Sequence, residues 1–275
     1  MSAAWTMTKA FHKAPYPSIS PQRPELSQAG KTVLVTGGTR GIGYSISRAF
    51  AVAGASKVIM LARRANVGAE SVASLTEELK KENQGTGAEI SALQVDVSNA
   101  TSVAALWRRL AEEGIKVDVL VLNAAITAPS KPILELGTEH LWSSDYNMNV
   151  RGQLDMAERF YKQEHDKTKT KNAFAIALQH AAEDIPPEKM QVLLFHPGGH
   201  YTDTARSAGY PEDFMPWDDI NLPGHFAVWA ASPEASFLHG RFVWAAWDVD
   251  EMKSGDLRKR IDEEKAFLKV GVNGL

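Results

Sequence analysis

A short apolar run followed by a glycine-rich turn lies near the start of the chain. Residues 31–35 are Lys-Thr-Val-Leu-Val, residues 36–43 are Thr-Gly-Gly-Thr-Arg-Gly-Ile-Gly, and a helical pattern follows from Tyr44. This order predicts a strand, a tight turn and a helix. Glycines let the backbone approach a pyrophosphate, and a helix N-terminus offers free N–H groups and the positive end of a dipole. The segment therefore predicts a nucleotide site, with an incidental glycine turn as the alternative.

Apolar strand-like runs alternate with helical patterns along the rest of the chain, as in βαβ units around a parallel sheet. The predicted strands are 31–36, 57–62, 89–96, 117–123, 190–195 and 240–246. The predicted helices lie near 42–53, 69–83, 101–114, 138–160 and 171–184. The predicted fold class is therefore α/β, a doubly wound Rossmann-type parallel sheet in a single domain.

Composition excludes several classes of function. The 275 residues, 44% of them hydrophobic, can bury the core of one large α/β domain. A net charge of −3 with interspersed signs argues against a nucleic-acid surface or a membrane-binding patch. The chain has no cysteine, which excludes disulfides, thiolate nucleophiles and thiolate metal sites. No metal site is predicted.

The two ends of the chain differ from its middle. Residues 1–27 contain four prolines and no apolar core of a signal peptide, and they are predicted to form a flexible N-terminal arm. Residues 28–250 are predicted to form the dinucleotide-binding and catalytic domain, and residues 251–275 a C-terminal helical tail. No apolar run approaches the length of a membrane span, and a cytoplasmic location is expected.

The spacing Gly37-x-x-x-Gly41-x-Gly43 resembles the T-G-x-x-x-G-I-G signature of the short-chain dehydrogenase/reductase family. Two later stretches resemble that family in the expected order. Residues 95–97 (Val-Asp-Val) end the third strand, and residues 122–125 (Leu-Asn-Ala-Ala) follow the fourth, with Ala125 where the family has glycine. The resemblance implies a dinucleotide site that contains Thr36, Gly37, Gly41, Ile42, Gly43, Asp96 and Asn123.

The resemblance also implies separate roles for three side chains. Asp96 would bond the adenine amino group, although an aspartate after a strand is also an ordinary turn or helix-capping residue. Asn123 would steady the central strands and border the cofactor. Asn149, within residues 146–152, resembles the asparagine that supports a proton-relay water, and it is one of two predicted catalytic residues.

The end of the second strand bears on the choice of nicotinamide cofactor. An NAD site usually places an acidic side chain there, about 20 residues past the glycines, to bond the ribose 2′-hydroxyl. Here the sequence is Leu-Ala-Arg-Arg at 61–64, and Arg40 in the glycine turn adds another cation. Guanidinium groups suit bidentate phosphate binding. NADP(H) is therefore the predicted cofactor. The alternative is that Arg63 and Arg64 are ordinary charged residues at the end of a strand.

A second turn motif lies late in the chain. Residues 196–202, His-Pro-Gly-Gly-His-Tyr-Thr, resemble the P-G-x-x-x-T of the family, which implies that Thr202 and the turn backbone contact the nicotinamide end of the cofactor. His196 is predicted to be structural. Residues 203–223 occupy the position of the family's substrate loop. Their aromatic side chains suggest an apolar substrate, and packing of the loop on the core explains them equally well.

The chain departs from the family between 161 and 170. Residues 170–173 (Thr-Lys-Asn-Ala) resemble the S-K-x-A of the family, so Lys171 matches the catalytic lysine that also binds the cofactor ribose. Lys167 then stands where the catalytic tyrosine belongs, and no catalytic serine is found. The polar segment 161–170 cannot be a buried parallel strand, so it is predicted to be a solvated linker in place of the fifth strand. A segment lost by splicing or by a gene-model error would explain the gap.

Loss of a central strand leaves two structural alternatives. Either the sixth strand of the family pairs directly with the fourth, or the fold is severely weakened. Replacement of the missing acid by Tyr161, His165 or Lys167 is disfavoured, because a general acid needs hydrogen-bond geometry first and a matched pKa second. Each of the three is interpreted as a polar residue of the linker.

The resemblance implies an NADP(H)-dependent oxidoreductase that acts on a carbonyl or alcohol group of a small-molecule substrate. The alternative is a catalytically impaired member that binds nucleotide or acts as an interaction protein. Family members often form dimers through the fourth and fifth helices, so a weakened or altered homo-oligomer is expected. Nucleic acid and membranes are not expected partners.

Overall fold

The computed structural model describes residues 7–83, 87–126, 133–163 and 174–270. The strands are β1 Thr32–Thr36, β2 Lys57–Ala62, β3 Glu89–Gln94, β4 Val119–Val121, β5 Leu194–His196 and β6 Phe242–Trp244. The α-helices are α1 Gly41–Val52, α2 Ala65–Lys81, α3 Ala100–Glu112, α4 Ile133–Leu136, α5 Thr138–His140, α6 Gln153–Lys162, α7 Phe174–Asp184, α8 Asp203–Ser207, α9 Leu222–Ala230, α10 Val249–Met252 and α11 Gly255–Glu263. A π-helical stretch, Leu141–Gly152, joins α5 to α6.

Four parallel strands form the main sheet in the order β3-β2-β1-β4. Alternate residues of β1 enter different clusters, because successive side chains of a strand point to opposite faces. Val33 and Val35 pack with α1 and α9 on one face, whereas Leu34 packs with α3 on the other. Helices therefore cover both faces, and the predicted α/β fold with a Rossmann-type parallel sheet is confirmed.

The sheet is interrupted beyond β4. β5 pairs in parallel with β6 in a separate two-stranded sheet, with Leu194 opposite Phe242 and His196 opposite Trp244. Within the described part of the chain, β4 pairs with β1 alone and β5 with β6 alone. The alternative that the late strand pairs directly with the fourth is therefore wrong.

A cavity of about 650 Å³ separates the two sheets, and it is called the intersheet cavity below. Its walls include Val119, Leu120, Val121, Leu193, Leu194 and Phe195. The side-chain amide of Gln163 also lines the cavity and is bonded to Val117: the Val117 N–H donates to Oε1 at 2.9 Å, and Nε2 donates to the Val117 carbonyl at 3.3 Å. One glutamine thus provides the hydrogen bonds that one residue of a neighbouring strand would provide.

The first residues of the structure pack against its last third. Phe11 forms an antiparallel bridge with Trp247, and the His12 N–H donates to the Ala246 carbonyl at 2.7 Å. Ile19 and Leu26 are fully buried. Residues 7–27 thus differ from the flexible arm predicted from composition, because two short 3-10 helices, Pro17–Ile19 and Pro24–Leu26, each bring one apolar side chain into the core. Residues 1–6 lie outside the described residues.

A cluster of charges fastens this N-terminal segment. The Arg23 guanidinium donates to Glu234 Oε1 at 2.8 Å, and Lys253 Nζ donates to Oε2 at 2.5 Å. Burial by itself would raise the pKa of the Glu234 carboxyl, but the hydrogen bonds and charges of Arg23 and Lys253 outweigh it and lower that pKa to about 2. The ionised carboxylate is therefore stabilised in the folded state.

This cluster predicts a pH dependence of stability. Because the folded-state pKa of Glu234 lies below its ordinary value, its contribution is complete above about pH 4.5 and is lost as the pH falls toward about 2. Glu234→Gln should remove about 1–3 kcal/mol of unfolding free energy at pH 5 and less than about half of that at pH 3. Urea unfolding at the two pH values measures this. Glu25→Gln, which removes a more exposed partner of Arg23, should cost little at either pH.

The C-terminal segment forms two helices, α10 and α11, the second of which ends at Glu263. Ile261 of α11 is buried, and the buried Arg241 guanidinium donates to the carbonyl groups of Ile261 and Phe267. The predicted helical character of residues 251–275 is thus seen in α10 and α11, while 271–275 lie outside the described residues. Among the helices of the described ranges, none combines the length and apolar character needed to cross a membrane.

Candidate active site

The glycine turn between β1 and α1 has room only for glycine at its centre. Gly37 and Gly41 have φ angles of +62° and +53°. A Cβ atom at Gly43 would lie 2.2 Å from the Gly37 carbonyl oxygen and 2.6 Å from Asn123 Nδ2. Arg40, at the N-cap of α1, makes no side-chain hydrogen bond to the first-turn N–H groups. A close backbone approach and an uncapped helix N-terminus fit the binding of a pyrophosphate.

Thr36 and Asn123 fix the turn to the end of β4. The buried Thr36 hydroxyl accepts the N–H groups of Asn123 and Ala124, each at 2.9 Å. Asn123 Nδ2 donates to the carbonyl groups of Thr36 at 3.0 Å and Gly37 at 3.2 Å. Asn123 therefore joins the ends of two adjacent strands under the glycine turn. Ile42 lies beside it, half-buried in the wall of the intersheet cavity.

Two serine hydroxyls also hold the turn, and sequence reasoning missed both. Ser47 Oγ donates to the carbonyl groups of Gly43 at 2.9 Å and Gly38 at 3.3 Å. Ser71 Oγ, on α2, lies 2.8 Å from the Thr39 carbonyl. The available signal was a small hydroxyl residue on the buried face of each helix.

Three arginines surround the outer part of the turn. Arg40, Arg63 and Arg64 are exposed, and none of them forms a salt bridge with another described residue. Arg63 and Arg64 directly follow β2, at the same carboxyl edge of the sheet as the glycine turn. These unpaired guanidinium groups give this end of the site a positive charge that suits an anion.

Asp96 lies just beyond β3 and uses one of its two carboxylate oxygens in the described structure. Oδ1 accepts the N–H of Ser98 at 2.9 Å and its hydroxyl at 2.6 Å, so it closes a turn before α3. Hydrogen bonds to Oδ2 are not seen among the described residues. The turn interpretation of Asp96 is therefore satisfied through one oxygen, and the other remains available.

The two predicted catalytic residues are placed differently. Asn149 Oδ1 accepts the N–H of Ile126 and its Nδ2 donates to the Ile126 carbonyl, both at 2.9 Å. Its side chain therefore holds the backbone that follows β4. Lys171 lies outside the described residues, as do His165 and Lys167.

Tyr161 lies at the wrong end of the sheet for proton transfer at the glycine turn. It belongs to α6, two residues before Gln163, whose side chain is bonded to Val117 at the start of β4. The strand segment from Val117 to Asn123 spans about 20 Å. The interpretation that Tyr161 is not the acid is consistent with this placement.

The turn after β5 reaches the glycine turn. A Cβ atom at Gly41 would lie 3.5 Å from Thr202 Cγ2, so the two turns face each other across the carboxyl edge. His196, whose ring stacks on Trp244 with centroids 4.3 Å apart, accepts the Gly198 N–H through Nδ1 at 3.1 Å. Burial, aided by the nearby charge of His200, lowers the pKa of His196. A neutral, engaged imidazole is consistent with its predicted structural role.

The loop after Thr202 carries a chain of aromatic rings. Tyr201 contacts Trp217, Trp217 contacts Phe214, and Phe214 contacts Tyr210, with centroid distances of 5.6, 6.3 and 4.7 Å. Phe214 is 57% exposed and Tyr210 45% exposed. Packing on the core therefore does not explain these two rings. Metal-ion clusters of three or more His, Cys, Asp or Glu side chains do not occur among the described residues.

Comparison with known proteins agrees with this geometry. Residues 31–171 match the family model described as short chain dehydrogenase. The chain is 32% identical to the short chain dehydrogenase/reductase AacuD of Aspergillus aculeatus, with 96% of each chain covered. It is 33% identical to a short chain dehydrogenase/reductase of Claviceps purpurea, with 96% of this chain and 94% of the relative covered.

Two solved structures share the fold. A short chain dehydrogenase from Burkholderia cenocepacia in complex with NADP has a TM-score of 0.63 at 23% identity, covering 81% of this chain and 99% of that chain. L-sorbose reductase from Gluconobacter frateurii, complexed with NADPH and L-sorbose, has a TM-score of 0.65 at 19% identity, covering 80% of this chain and 96% of that chain.

The alignment with one relative contains positions that this chain lacks. The alignment with the Aspergillus relative runs over 287 positions and covers 96% of this chain, whose full length is 275 residues. Some positions of the relative must therefore face no residue of this chain. The family match and the nearly complete coverage of the relatives settle the assignment: the chain belongs to the short-chain dehydrogenase/reductase family.

Proposed function

We propose that this chain is an NADP(H)-dependent oxidoreductase for a carbonyl or alcohol group of a small, apolar substrate. The observation that carries the proposal is the combination of a glycine turn held against Asn123 with three unpaired arginines at one edge of the sheet. The turn would take the pyrophosphate, and Arg40, Arg63 and Arg64 the 2′-phosphate. The solved relatives bound to NADP and NADPH support the same choice of cofactor.

Each of the remaining predicted residues would contact or support a different part of the cofactor. Asp96 would bond the adenine through its available oxygen, and Thr202 would contact the cofactor beyond the pyrophosphate. Lys171 would bond the nicotinamide ribose and Asn149 would hold the backbone near the reacting groups. The bound nicotinamide would supply hydride transfer. A positioned acid to accompany that transfer is not found among the residues that the structure describes.

The exposed rings of Tyr210 and Phe214 support an apolar substrate. They lie in the loop that follows the turn after β5, and the core does not cover them. Aromatic faces offer large apolar contact area at a small cost in side-chain entropy. A planar or apolar compound could therefore bind beside the nicotinamide end of the site.

The interrupted sheet favours a second candidate, a catalytically impaired member that binds nucleotide or acts as an interaction protein. The glycine turn and Asn123 lie at the ends of β1 and β4, whereas the catalytic serine and tyrosine are not found in the sequence. Nucleotide binding can therefore persist without turnover. A cytoplasmic location and an altered homo-oligomer remain part of the proposal.

A titration of both reduced cofactors tests the proposal. We expect the chain to bind NADPH more tightly than NADH by about 1–3 kcal/mol, because charged hydrogen bonds to the 2′-phosphate are lost with NADH. The double variant Arg63→Ala/Arg64→Ala should lose most of this preference by weakening NADPH alone. Quenching of intrinsic fluorescence gives both dissociation constants.

Arg108→Ala is the matched control, since Arg108 is an exposed arginine of α3 that pairs with Glu112. It should leave both dissociation constants unchanged. Equal or tighter binding of NADH by the unmodified chain would contradict the predicted cofactor. If neither NADPH nor NADH binds, the proposed function as a whole is contradicted.

A further inference from the structure

We propose that Asp218 is a positioning residue for the nicotinamide end of the cofactor site, and that the N-terminal segment braces it from outside. The proposal rests on the proposed function, because it assumes that a dinucleotide binds at the glycine turn. Asp218 lies in the loop before α9, within residues 203–223, which occupy the position of the family's substrate loop. It is not among the residues predicted from the sequence.

Asp218 forms a two-sided clamp on the turn after β5. Its carboxylate accepts the Gly199 N–H at 2.9 Å, and its own N–H donates to the Gly199 carbonyl at 2.7 Å. Its carbonyl lies 3.0 Å from Nδ1 of the buried His200, whose Nε2 lies 2.9 Å from the Pro197 carbonyl. These contacts together fix the backbone at 197–200.

Gly198 shows how closely the clamp fits. Its φ angle is +108°, a conformation that side-chain-bearing residues rarely adopt. A Cβ atom at Gly198 would lie 2.6 Å from Asp218 Oδ2. The carboxylate is thus seated directly against the turn, in the space that a side chain would need.

The clamped turn lies across the site from the arginines. A dinucleotide with its pyrophosphate at Gly41 has β2 and β3 on one side and β4 on the other, according to the strand order. Arg63 and Asp96 follow β2 and β3, so the adenosine half belongs there. The other half then lies toward Thr202, which faces Gly41 and ends the clamped turn. Asp218 thus acts on one half of the ligand.

The N-terminal segment supports the clamp from outside. The Asp219 N–H donates to the Lys13 carbonyl at 2.7 Å, and Lys13 Nζ donates to the Pro216 carbonyl at 2.9 Å. The neighbouring His12 is fixed through its N–H to Ala246 and through its ring to Asp248 at 2.8 Å. Hydrogen bonds therefore run from the C-terminal part, through residues 12–13, to the loop that carries Asp218.

The test compares the binding of NADPH with the binding of adenosine 2′,5′-bisphosphate, which corresponds to the adenosine half of NADPH. We expect Asp218→Ala to raise the dissociation constant for NADPH about tenfold, because it removes a charged hydrogen bond that orders the turn. Binding of adenosine 2′,5′-bisphosphate, which lacks the nicotinamide half, should change less than about twofold. Asp218→Asn keeps an acceptor oxygen for the Gly199 N–H and should restore binding of NADPH. Asp213→Ala, an exposed residue of the same loop, is the matched control and should change neither constant.

Gly198→Ala provides a second, independent perturbation. The added Cβ atom would displace the Asp218 carboxylate. This variant should therefore weaken the binding of NADPH and leave the binding of the bisphosphate unchanged. In the double variant Gly198→Ala/Asp218→Ala, the dissociation constant for NADPH should rise by less than the product of the two separate fold-changes, since both substitutions act on one contact. Thermal unfolding of each variant establishes that it is folded.

The outcomes separate the two proposals. Failure of the unmodified chain to bind NADPH overturns the proposed function and this inference with it. Normal binding by the unmodified chain together with unchanged NADPH affinity in Asp218→Ala overturns the inference alone. Equal weakening of NADPH and of the bisphosphate also overturns it, because a general loss of structure would affect both ligands.

Discussion

Carbonyl reduction by this chain is expected to be about 10²–10⁴-fold slower than reduction by a version with an apolar fifth strand, a serine and a Y-x-x-x-K sequence restored between α6 and α7. Loss of a positioned general acid alone accounts for a factor of this size. The interruption between β4 and β5 adds to it, since among the described residues no continuous sheet ties the turn after β5 to the glycine turn. Turnover of a panel of ketones and quinones with NADPH measures the difference.

Two controls make this comparison specific. The restored version should bind NADPH with an affinity similar to that of the unmodified chain, because the glycine turn, Asn123 and the arginines are common to both. A restored version whose new tyrosine is replaced by phenylalanine should fall back to the slow rate. Turnover by the unmodified chain at the restored rate would show that another residue supplies the proton.

Gly43→Ala is expected to weaken NADPH binding by about 100-fold or more while the chain remains folded. Its Cβ atom would lie 2.2 Å from the Gly37 carbonyl oxygen and 2.6 Å from Asn123 Nδ2, so the turn must open or α1 must shift. Either movement displaces the N–H groups that would face the pyrophosphate. Overpacking of this kind typically costs about 1–3 kcal/mol of stability as well. Calorimetric titration and thermal unfolding measure the two effects.

Gly54→Ala is the control for the conformational cost of losing a glycine. Gly54 has a φ angle of +82° with no atom within 4 Å of an added Cβ, and it lies past the C-terminal end of α1. It should lower the unfolding temperature and leave NADPH affinity unchanged. Comparable affinity losses in both variants would contradict a specific role for the space around Gly43.

The parts of the fold that the sequence predicted well are those with local signals. Strand β2 was expected at 57–62 and lies at Lys57–Ala62, and α1 was expected at 42–53 and lies at Gly41–Val52. Both sit next to sharp turns and show an unbroken apolar run or a helical pattern. The predicted ends of β4 differ from the observed ones: its apolar run covers 117–123, but the ladder with β1 covers Val119–Val121.

Long-range contacts could not be predicted in the same way. The composition of residues 7–27 says nothing of the pairing of Phe11 with Trp247, since no periodic pattern leads from one to the other. The Asp218 clamp is similar, because an aspartate in a loop carries no sign of the backbone N–H that it accepts. The π-helical stretch Leu141–Gly152 was expected only as helix. Sequence reasoning found the glycines of the turn and Asn123 beneath them, and it missed the serine hydroxyls that also hold the turn.

Hydrogen exchange followed by mass spectrometry, with and without NADPH, tests both halves of the structural argument at once. An intact dinucleotide site beside an interrupted sheet predicts slow exchange in β1 and β2. It predicts faster exchange in β4 and β5, each of which pairs with a single strand in the described part of the chain. NADPH should add protection at 36–44 and 196–202 and little at 249–263. Exchange in β4 and β5 as slow as in β1 would contradict the interrupted sheet. No added protection at the glycine turn with saturating NADPH would contradict the dinucleotide site.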